Sequence, residues 1–561
     1  MYIEISKKIT KTKVYEYILL RKSIRDKKSG KIIKETIANL SNEPVEQVML
    51  VVNALKGKFT INPDDMRQGK SIGFSLVIVF LMNMLGMIRA IGKSYEAKIA
   101  IMLIVARVTI QSSRLQALRW SKHRDHILDI IGFSQYEKDK LTDKTIYLGL
   151  DYIQANQEKI EDKLFKSYYG DNPPKRVFYD VTSSYVTGKY EDSDLVSYGY
   201  NRDKKQGTQQ IVVGLLCDEN GHAISIQTYP GNTNDVKTFA NQLDKLKNRF
   251  NLENITIVGD GGMIKCEDIQ TIKEMGYDYI TSIGKASIKK LINDKNSQIQ
   301  LSLFDEDLQE VTQNGVRYIL RQNPIRRDEI RETRESKITR LQEFIEKKTI
   351  YYNTHYKAKQ ETLENYINKK ISDLKLSKFI SVDITYKDTD IIVTSKDKEN
   401  KTKTKALATV TITIDEEAKK EIEKLDGCYV IKTSLTDNSK DTKESIHKAY
   451  KTLIKVENAF KTLKTEFLEI RPLYLKTDKR IQGHIALSML AYNITLKLKS
   501  YINKLDLDFK DTIEMLKVVK TTPVQLTKKV SINYIPKVNE TLQNLFKIMN
   551  FTIPKKVNYP M

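Results

Sequence analysis

Three acidic residues stand where packing alone gives no reason for them. Asp180 interrupts the apolar run "RVFYDVTSSYV" at residues 176–186, where β-propensity disfavours aspartate and a buried bare charge costs several kcal/mol. Asp260 closes another apolar run, "NITIVGDGG" at 254–262, just before two glycines. Glu457 lies in "HKAYKTLIKVENAFKTLKTEFLEIRPLY" at 447–474. There Ile446, Ala449, Leu453, Val456, Phe460, Leu463 and Phe467 recur at steps of three and four, which predicts one amphipathic helix with an extended exit. Tyr450, Glu457 and Lys464 follow seven apart, nearly two turns, and so form a stripe on the border of the buried face. Three carboxylates gathered at one place repel, and a divalent cation keeps them all ionised. Oxygen donors suit Mg²⁺ or Mn²⁺. Two such ions activate a nucleophile and stabilise the leaving 3′ oxygen of an in-line displacement at phosphorus. Lys464 is then placed to hold a phosphate oxygen and Tyr450 to pack on a sugar or base. Each acid also has a plainer reading: Asp180 as a cap or bulge, Asp260 as a turn residue, Glu457 as the i+4 partner of Lys461.

What favours the joint reading is the order of the elements that carry the acids. "RVFYDVTSSYV", "QQIVVGLLCD" (209–218) and "HAISIQTYPG" (222–231) read as strands, the last two joined by the turn "ENG". Residues 232–235 supply capping side chains for a helix to about Phe250. "NITIVGDGG" is a strand, "CEDIQTIKEMG" a helix and "DYITSIG" a strand. The order β-β-β-α-β-α-β predicts an α/β fold, a mixed five-stranded sheet with helices packed on it, as in ribonuclease-H-like domains. Asp180 falls within the first strand and Asp260 at the C-terminal end of the fourth, where ligands collect in such sheets. Adjacency of those two strands brings the aspartates together, and a helix packed beside them contributes Glu457.

A chain of 561 residues exceeds one hydrophobic core. Residues 1–57 alternate in period two around "KKSGK" and read as a basic β region, and 58–170 as a helical DNA-binding region ended by "GDNPPKR". The ribonuclease-H-like core is expected in two parts, 171–286 and 426–500. Between them, 287–425 reads as an inserted α+β domain, with long helices over 326–376 and two strands flanking the lysine-rich "KDKENKTKTK". A basic region, 501–561, completes the chain. The 94 Lys+Arg against 71 Asp+Glu, a net +23, favour a polyanionic partner such as nucleic acid, although the abundance of Lys, Ile and Asn also reflects an AT-rich genome. In "NRDKKQ", Arg202, Lys204 and Lys205 are candidate DNA contacts, with a solvated basic loop as the alternative. Three scattered cysteines and the lack of a secretory signal suit a reducing cytosol. His123 and His126 have no second pair at finger spacing, which disfavours zinc. "IGFSLVIVFLMNMLGMI" at 72–88 is nearly uncharged but shorter than the roughly 20 residues of a membrane span, and reads as a buried helix. No membrane partner is expected.

"YKTLIKVENAFKTLK" resembles the Tyr-x2-Arg-x3-Glu-x6-Lys signature of DDE transposases from bacterial insertion sequences, the YREK or insertion-sequence-4 type. Tyr450, Glu457 and Lys464 match, and Leu453 occupies the Arg position. "FYDVTSSYV", "YGYNRDKKQGTQQIVVGLL", "YPGNTND" and "IVGDGGM" resemble the two Asp motifs of the same proteins, particularly the 1634-like subgroup. The likeness extends to "RPLYLKTDKRIQGHIALSMLAY" and to "IVARVTIQSSRLQALRW". It implies a ribonuclease-H-like catalytic domain with a mainly β insertion between the second Asp and the Glu. It also implies Asp180, Asp260 and Glu457 as catalytic ligands of two Mg²⁺, and binding of double-stranded DNA at terminal inverted repeats and at a target. A homodimer in the synaptic complex and action on the bacterial nucleoid follow from the same likeness. The separations, 260−180=80 and 457−260=197, leave room for the insertion. In the family pattern the Arg helps hold DNA beside the metal site; Lys455 or Lys461 is a nearby base to take over from Leu453. Two rivals remain: a structure-specific nuclease of the same fold that cuts without joining, and a DNA-binding repressor that has lost catalysis, which the intact acid set disfavours.

Overall fold

The structure, a computed structural model, describes residues 2–9, 14–26, 30–56, 69–202, 205, 207–294, 297–304, 308–394, 400–436, 439–466, 468, 473–527, 530–555 and 557. Contacts divide the chain into two compact units, one of Met1–Pro173, Val181–Thr233 and Glu457–Met561, the other of Pro174–Asp180 and Asn234–Val456.

In the first unit, the period-two alternation gives an antiparallel sheet of β1 (Tyr2–Ile9), β2 (Val14–Arg25) and β3 (Ile32–Asn39). Glu4 ties the three strands, reaching Arg21 at 3.1 Å and Lys34 at 3.3 Å. The β pattern does not run to residue 57, because Val45–Leu55 is a helix. Val48, Val51, Val52 and Leu55 recur at the helical interval, and that spacing prevails over β-propensity. The apolar stretch at 72–88 forms two helices, Gly73–Met84 and Met87–Ile91, parted at Gly86, whose φ of 72° a side chain would strain. Phe74, Val77 and Leu81 are fully buried. Among the described residues no helix is long and apolar enough to cross a membrane. The helical run at 97–120 divides likewise, into Tyr95–Ile110 and Arg114–His123, with Ser113 capping the second by accepting the Gln116 N–H.

β4 (Arg176–Tyr185) is the expected first core strand, and the division between units falls within it, after Asp180. The first unit also holds β5 (Gln210–Asp218) and β6 (Ala223–Pro230), an antiparallel pair, in the order β6-β5-β4. Both faces of β5 are buried. The outer edge of β6 is covered by side chains rather than by another strand. Asn493, on the helix Asp478–Ile502, bonds both backbone groups of Ala223 at 2.9 Å, and Gln157 donates to the Ile226 carbonyl at 2.7 Å. Residues 501–561 contribute the helices Phe509–Val518 and Glu540–Met549 and the hairpin of β14 (Thr522–Thr527) and β15 (Val530–Tyr534).

The second unit contains β7 (Thr256–Gly259), β8 (Asp278–Ile283), β9 (Gln309–Gln313), β10 (Val316–Gln322), β11 (Ile380–Thr394), β12 (Asn400–Ile414) and β13 (Cys428–Thr433). Its sheet order is β4-β7-β8-β13-β10-β9. The β4–β7 and β7–β8 pairs are parallel and the remaining three antiparallel, so the sheet is mixed. The expected neighbours, first and fourth strands, are therefore paired. The sheet also extends past β8 with β13, β10 and β9, of which β9 and β10 come from the 287–425 segment. Ile288, Ile299 and Phe304 of the segment pack with β10 and β13, and its remainder from about residue 324 builds a separate core. The helices Pro324–Thr354 and Gln360–Leu374 pack Leu341, Leu363 and Ile367 against the β11–β12 hairpin, with Ala408 buried among them. Of "KDKENKTKTK", residues 400–405 belong to β12, and 396–399 lie outside the described residues.

Candidate active site

Parallel pairing fixes which residues of β4 and β7 stand side by side. Arg176 pairs with Thr256, Val177 with Ile257 and Phe178 with Val258, a constant offset of 80. Carried two residues on, that register sets Asp180 beside Asp260, since 180+80=260. Gly259, one step earlier, lies close to the Tyr179 carbonyl: a Cβ there would sit 3.8 Å from that oxygen. Because the strands run in the same direction, Asp260 emerges just past the C-terminal end of β7, while Asp180 lies midway along the adjoining β4. The residues leading to them, Val177, Phe178, Tyr179, Ile257 and Val258, are buried and hold the strands in place.

β8 extends the row. Its pairing with β7, Gly259 opposite Thr281, has an offset of 22, which sets Ser282 beside Asp260. The Ser282 hydroxyl donates to Asp260 Oδ1 at 3.3 Å, and the Gly261 N–H donates to the same oxygen at 2.6 Å. Neither bond uses Oδ2. A Cβ on Gly261 would fall 2.2 Å from the Ser282 carbonyl, so the turn that presents the carboxylate admits only glycine without rearrangement. Met263 and Ile264 donate their N–H groups to the Asp260 carbonyl at 2.9 and 3.1 Å and complete this turn. Asp260 is exposed and Asp180 half-buried. Ser282 is the residue that sequence reasoning missed, since its only signal is a register that exists once β7 and β8 pair.

The helix expected through Glu457 is not a single one. Lys443–Lys451 ends at Thr452, Leu453–Lys461 follows, and Thr462–Glu466 is a wider π-helical turn. Thr452 bonds back to the Lys448 carbonyl through its hydroxyl at 3.0 Å, a competitor to the regular ladder. Tyr450, Glu457 and Lys464 consequently fall one in each of three helical segments, not along one straight helix. Ile446, Ala449, Val456, Phe460 and Leu463 are buried as the periodicity predicts, whereas Leu453 is only half-buried. Phe467 lies outside the described residues. Glu457 and Lys461 are exposed, and Tyr450 and Lys464 half-buried.

Asp180, Asp260 and Tyr450 belong to the second unit, and Glu457, Lys461, Lys464, Arg202 and Lys205 to the first. In the basic loop, the Arg202 N–H donates to Ser183 Oγ at 3.1 Å, and the Lys205 ammonium stands 3.8 Å above the Tyr185 ring. Lys204 lies outside the described residues. Two of the three acids thus lie on paired neighbouring strands, two residues beyond the last pair of the β4–β7 ladder. Among the described residues, no group of three or more His, Cys, Asp and Glu side chains is gathered as a metal site. Carboxylate oxygens are donors of the kind that hard divalent cations take, and in that respect Asp180 and Asp260 fit such an ion.

Among known proteins, no curated protein matches the chain. Solved structures similar to it include the piggyBac transposase synaptic complex with hairpin DNA, at 9% identity over 80% of this chain and 82% of that one, TM-score 0.37. Another is the Mos1 transposase paired-end complex with the left transposon end, at 13% identity over 42% of this chain and 67% of that one, TM-score 0.14. The family model of the transposase DDE domain matches residues 171–494, more than half of the 561. That stretch contains Asp180, Asp260 and Glu457, and by this match the chain belongs to the transposase DDE domain family.

Proposed function

We propose that the chain is a cut-and-paste transposase of the YREK group. It binds the terminal inverted repeats of its element, cleaves at the element ends and joins the freed 3′-OH to target DNA. The observation that carries this reading is the parallel β4–β7 pairing, whose offset of 80, continued by two residues, would bring Asp180 within β4 next to Asp260 at the end of β7, both in the matched stretch. The parallel order β4-β7-β8 supports a ribonuclease-H-like catalytic domain, with the helices and hairpin of residues 324–414 as its insertion.

Asp180, Asp260 and Glu457 would hold the divalent metal, Mg²⁺ by preference for oxygen donors. When bound, the metal supplies charge neutralisation at phosphorus and a more acidic attacking water or hydroxyl. The protein's own groups do the positioning. Gly261 and Ser282 fix the Asp260 carboxylate through Oδ1. Lys464 and Lys461 neutralise phosphate charge, Arg202 and Lys205 hold the backbone of the DNA, and Tyr450 packs on a sugar or base. Two protomers hold the two ends in synapsis.

DNA carrying candidate inverted repeats taken from the sequence flanking the gene tests the reading. With Mg²⁺, the protein is expected to cut at the repeat ends and to join a pre-cleaved 3′-OH end to a second duplex. Cutting without joining would instead identify a nuclease. Binding with neither activity would identify a repressor.

A further inference from the structure

The loop between β4 and β5 displays two tyrosines that the active-site chemistry does not use. Tyr198 is 66% exposed and Tyr200 86% exposed. Tyrosine rings ordinarily bury most of their surface, and a mobile tail would account for two that do not. This loop is pinned instead. Ser197 exchanges both backbone hydrogen bonds with Gln210, at 3.1 and 3.0 Å, and the Gln210 side-chain amide donates to the Tyr200 carbonyl at 3.0 Å. Asp478 accepts the N–H groups of Asp194 and Leu195 at 3.1 and 3.2 Å. Gly199, between the tyrosines, lies so close to the neighbouring chain that a Cβ would fall 2.1 Å from the Gly231 carbonyl. In an extended chain alternate residues face opposite ways. With Gly199 pressed inward, both neighbours are turned out to solvent.

A fixed backbone that presents two aromatic faces costs little further ordering when a flat ligand arrives. Cations follow at once in the sequence: Arg202, anchored through its N–H to Ser183, and the exposed Lys205. Aromatic faces beside cations are the combination that holds an unpaired nucleobase and its phosphate. Bases inside a duplex offer no such face.

We propose that Tyr198 and Tyr200 form a stacking site for unpaired nucleobases of DNA, with Arg202 and Lys205 holding the adjoining phosphates. This site rests on the transposase reading for its biological use but not for its chemistry. The full-length protein is titrated, at one salt concentration, with a fluorescent duplex that is fully paired and with the same duplex carrying a short run of unpaired thymines. Wild type should prefer the unpaired probe. Tyr198→Ala and Tyr200→Ala together should weaken that probe by about tenfold or more and leave the paired duplex within about twofold. Tyr200→Phe should retain the preference, because stacking needs the ring and not the hydroxyl. Equal loss on both probes, or no loss on either, overturns the proposal. Cleavage and joining of element ends, measured in the same preparations, separates the two readings. A tyrosine-dependent preference in a wild-type protein that never cuts would sink the transposase and spare the stacking site. Cutting and joining with tyrosine-independent binding would do the reverse.

Discussion

Two regions supply the candidate acids, and they are built on different principles. Between β4 and β7, a ladder of backbone hydrogen bonds sets the offset between strands, and residues just beyond its last pair follow it unless a bulge intervenes. The offset of 80 equals the separation of Asp180 and Asp260. The segment around Glu457 has no partner strand to set its register. Its side-chain directions accumulate along the helix, and a turn at Thr452 and a π turn at Thr462–Glu466 each reset them. Sheet pairing relates positions remote in the sequence as long as no bulge shifts the register, whereas a helix transmits direction only as far as its ladder is unbroken.

The largest effect expected is loss of chemistry at either region. Alanine at Asp180, Asp260 or Glu457 should lower divalent-metal-dependent cleavage by ~10³-fold or more, the rate equivalent of several kcal/mol of transition-state stabilisation. DNA retention, followed by fluorescence anisotropy, should stay close to wild type. A Glu457→Ala protein that cuts at the normal rate would leave the strand-end pair standing and remove the helix from the site.

Changes of one methylene sharpen the contrast. Asp260→Glu lengthens a carboxylate whose base is fixed by Gly261 and Ser282, and it should cost ~10²-fold in cleavage rate. Glu457→Asp shortens a side chain on a segment with turns on both sides that can take up the difference, and ~10-fold is expected. Equal losses in single-turnover assays would mean that the helical segment is held as firmly as the strands.

Next in size is Ser282→Ala, which removes one of the two donors to Asp260 Oδ1. Partners of metal-binding groups typically contribute 10- to 100-fold. The lower end is expected, because the Gly261 N–H remains. The deficit should shrink as Mg²⁺ is raised, while the melting temperature stays unchanged.

The smallest effect concerns a carboxylate with surroundings opposite to those of Asp260. Asp125 is fully buried, accepts the Ser75 hydroxyl at 2.7 Å on Oδ1, and has no partner for Oδ2 among the described residues. Burial pushes its pKa up from 3.8 to about 7. Between those values the folded chain holds a proton that the unfolded chain has lost, so stability falls as pH rises through this window. Asp125→Asn should raise the melting temperature relative to wild type at pH 8, and the gain should fade towards pH 4. A gain that is the same at both pH values would show that charge at this position is not what limits stability.

Much of this molecule was legible before folding, and the reasons are local. An apolar run marked β4, "RVFYDVTSSYV", period-two alternation marked residues 1–39, and helical intervals marked the buried stripe of Ile446, Ala449, Val456, Phe460 and Leu463. The expected ribonuclease-H-like topology required β4 and β7 to adjoin, and they pair. Where local signals competed, reading by pattern went astray. The helical interval in "VEQVMLVVNAL" was masked by its β-branched residues, and the break at Thr452 was masked by the unbroken apolar stripe around it.

The amino-acid sequence by itself determined which residue types were available and which faces of each element were apolar, because those depend on side-chain chemistry and on fixed periods of 2.0 and 3.6. Only the tertiary structure decided that Ser282 joins the row at Asp260, that β9, β10 and β13 widen the sheet, and that Tyr198 and Tyr200 face solvent on a pinned loop. Each of these depends on contacts between segments remote in the chain, and no local interval encodes the register in which such segments meet.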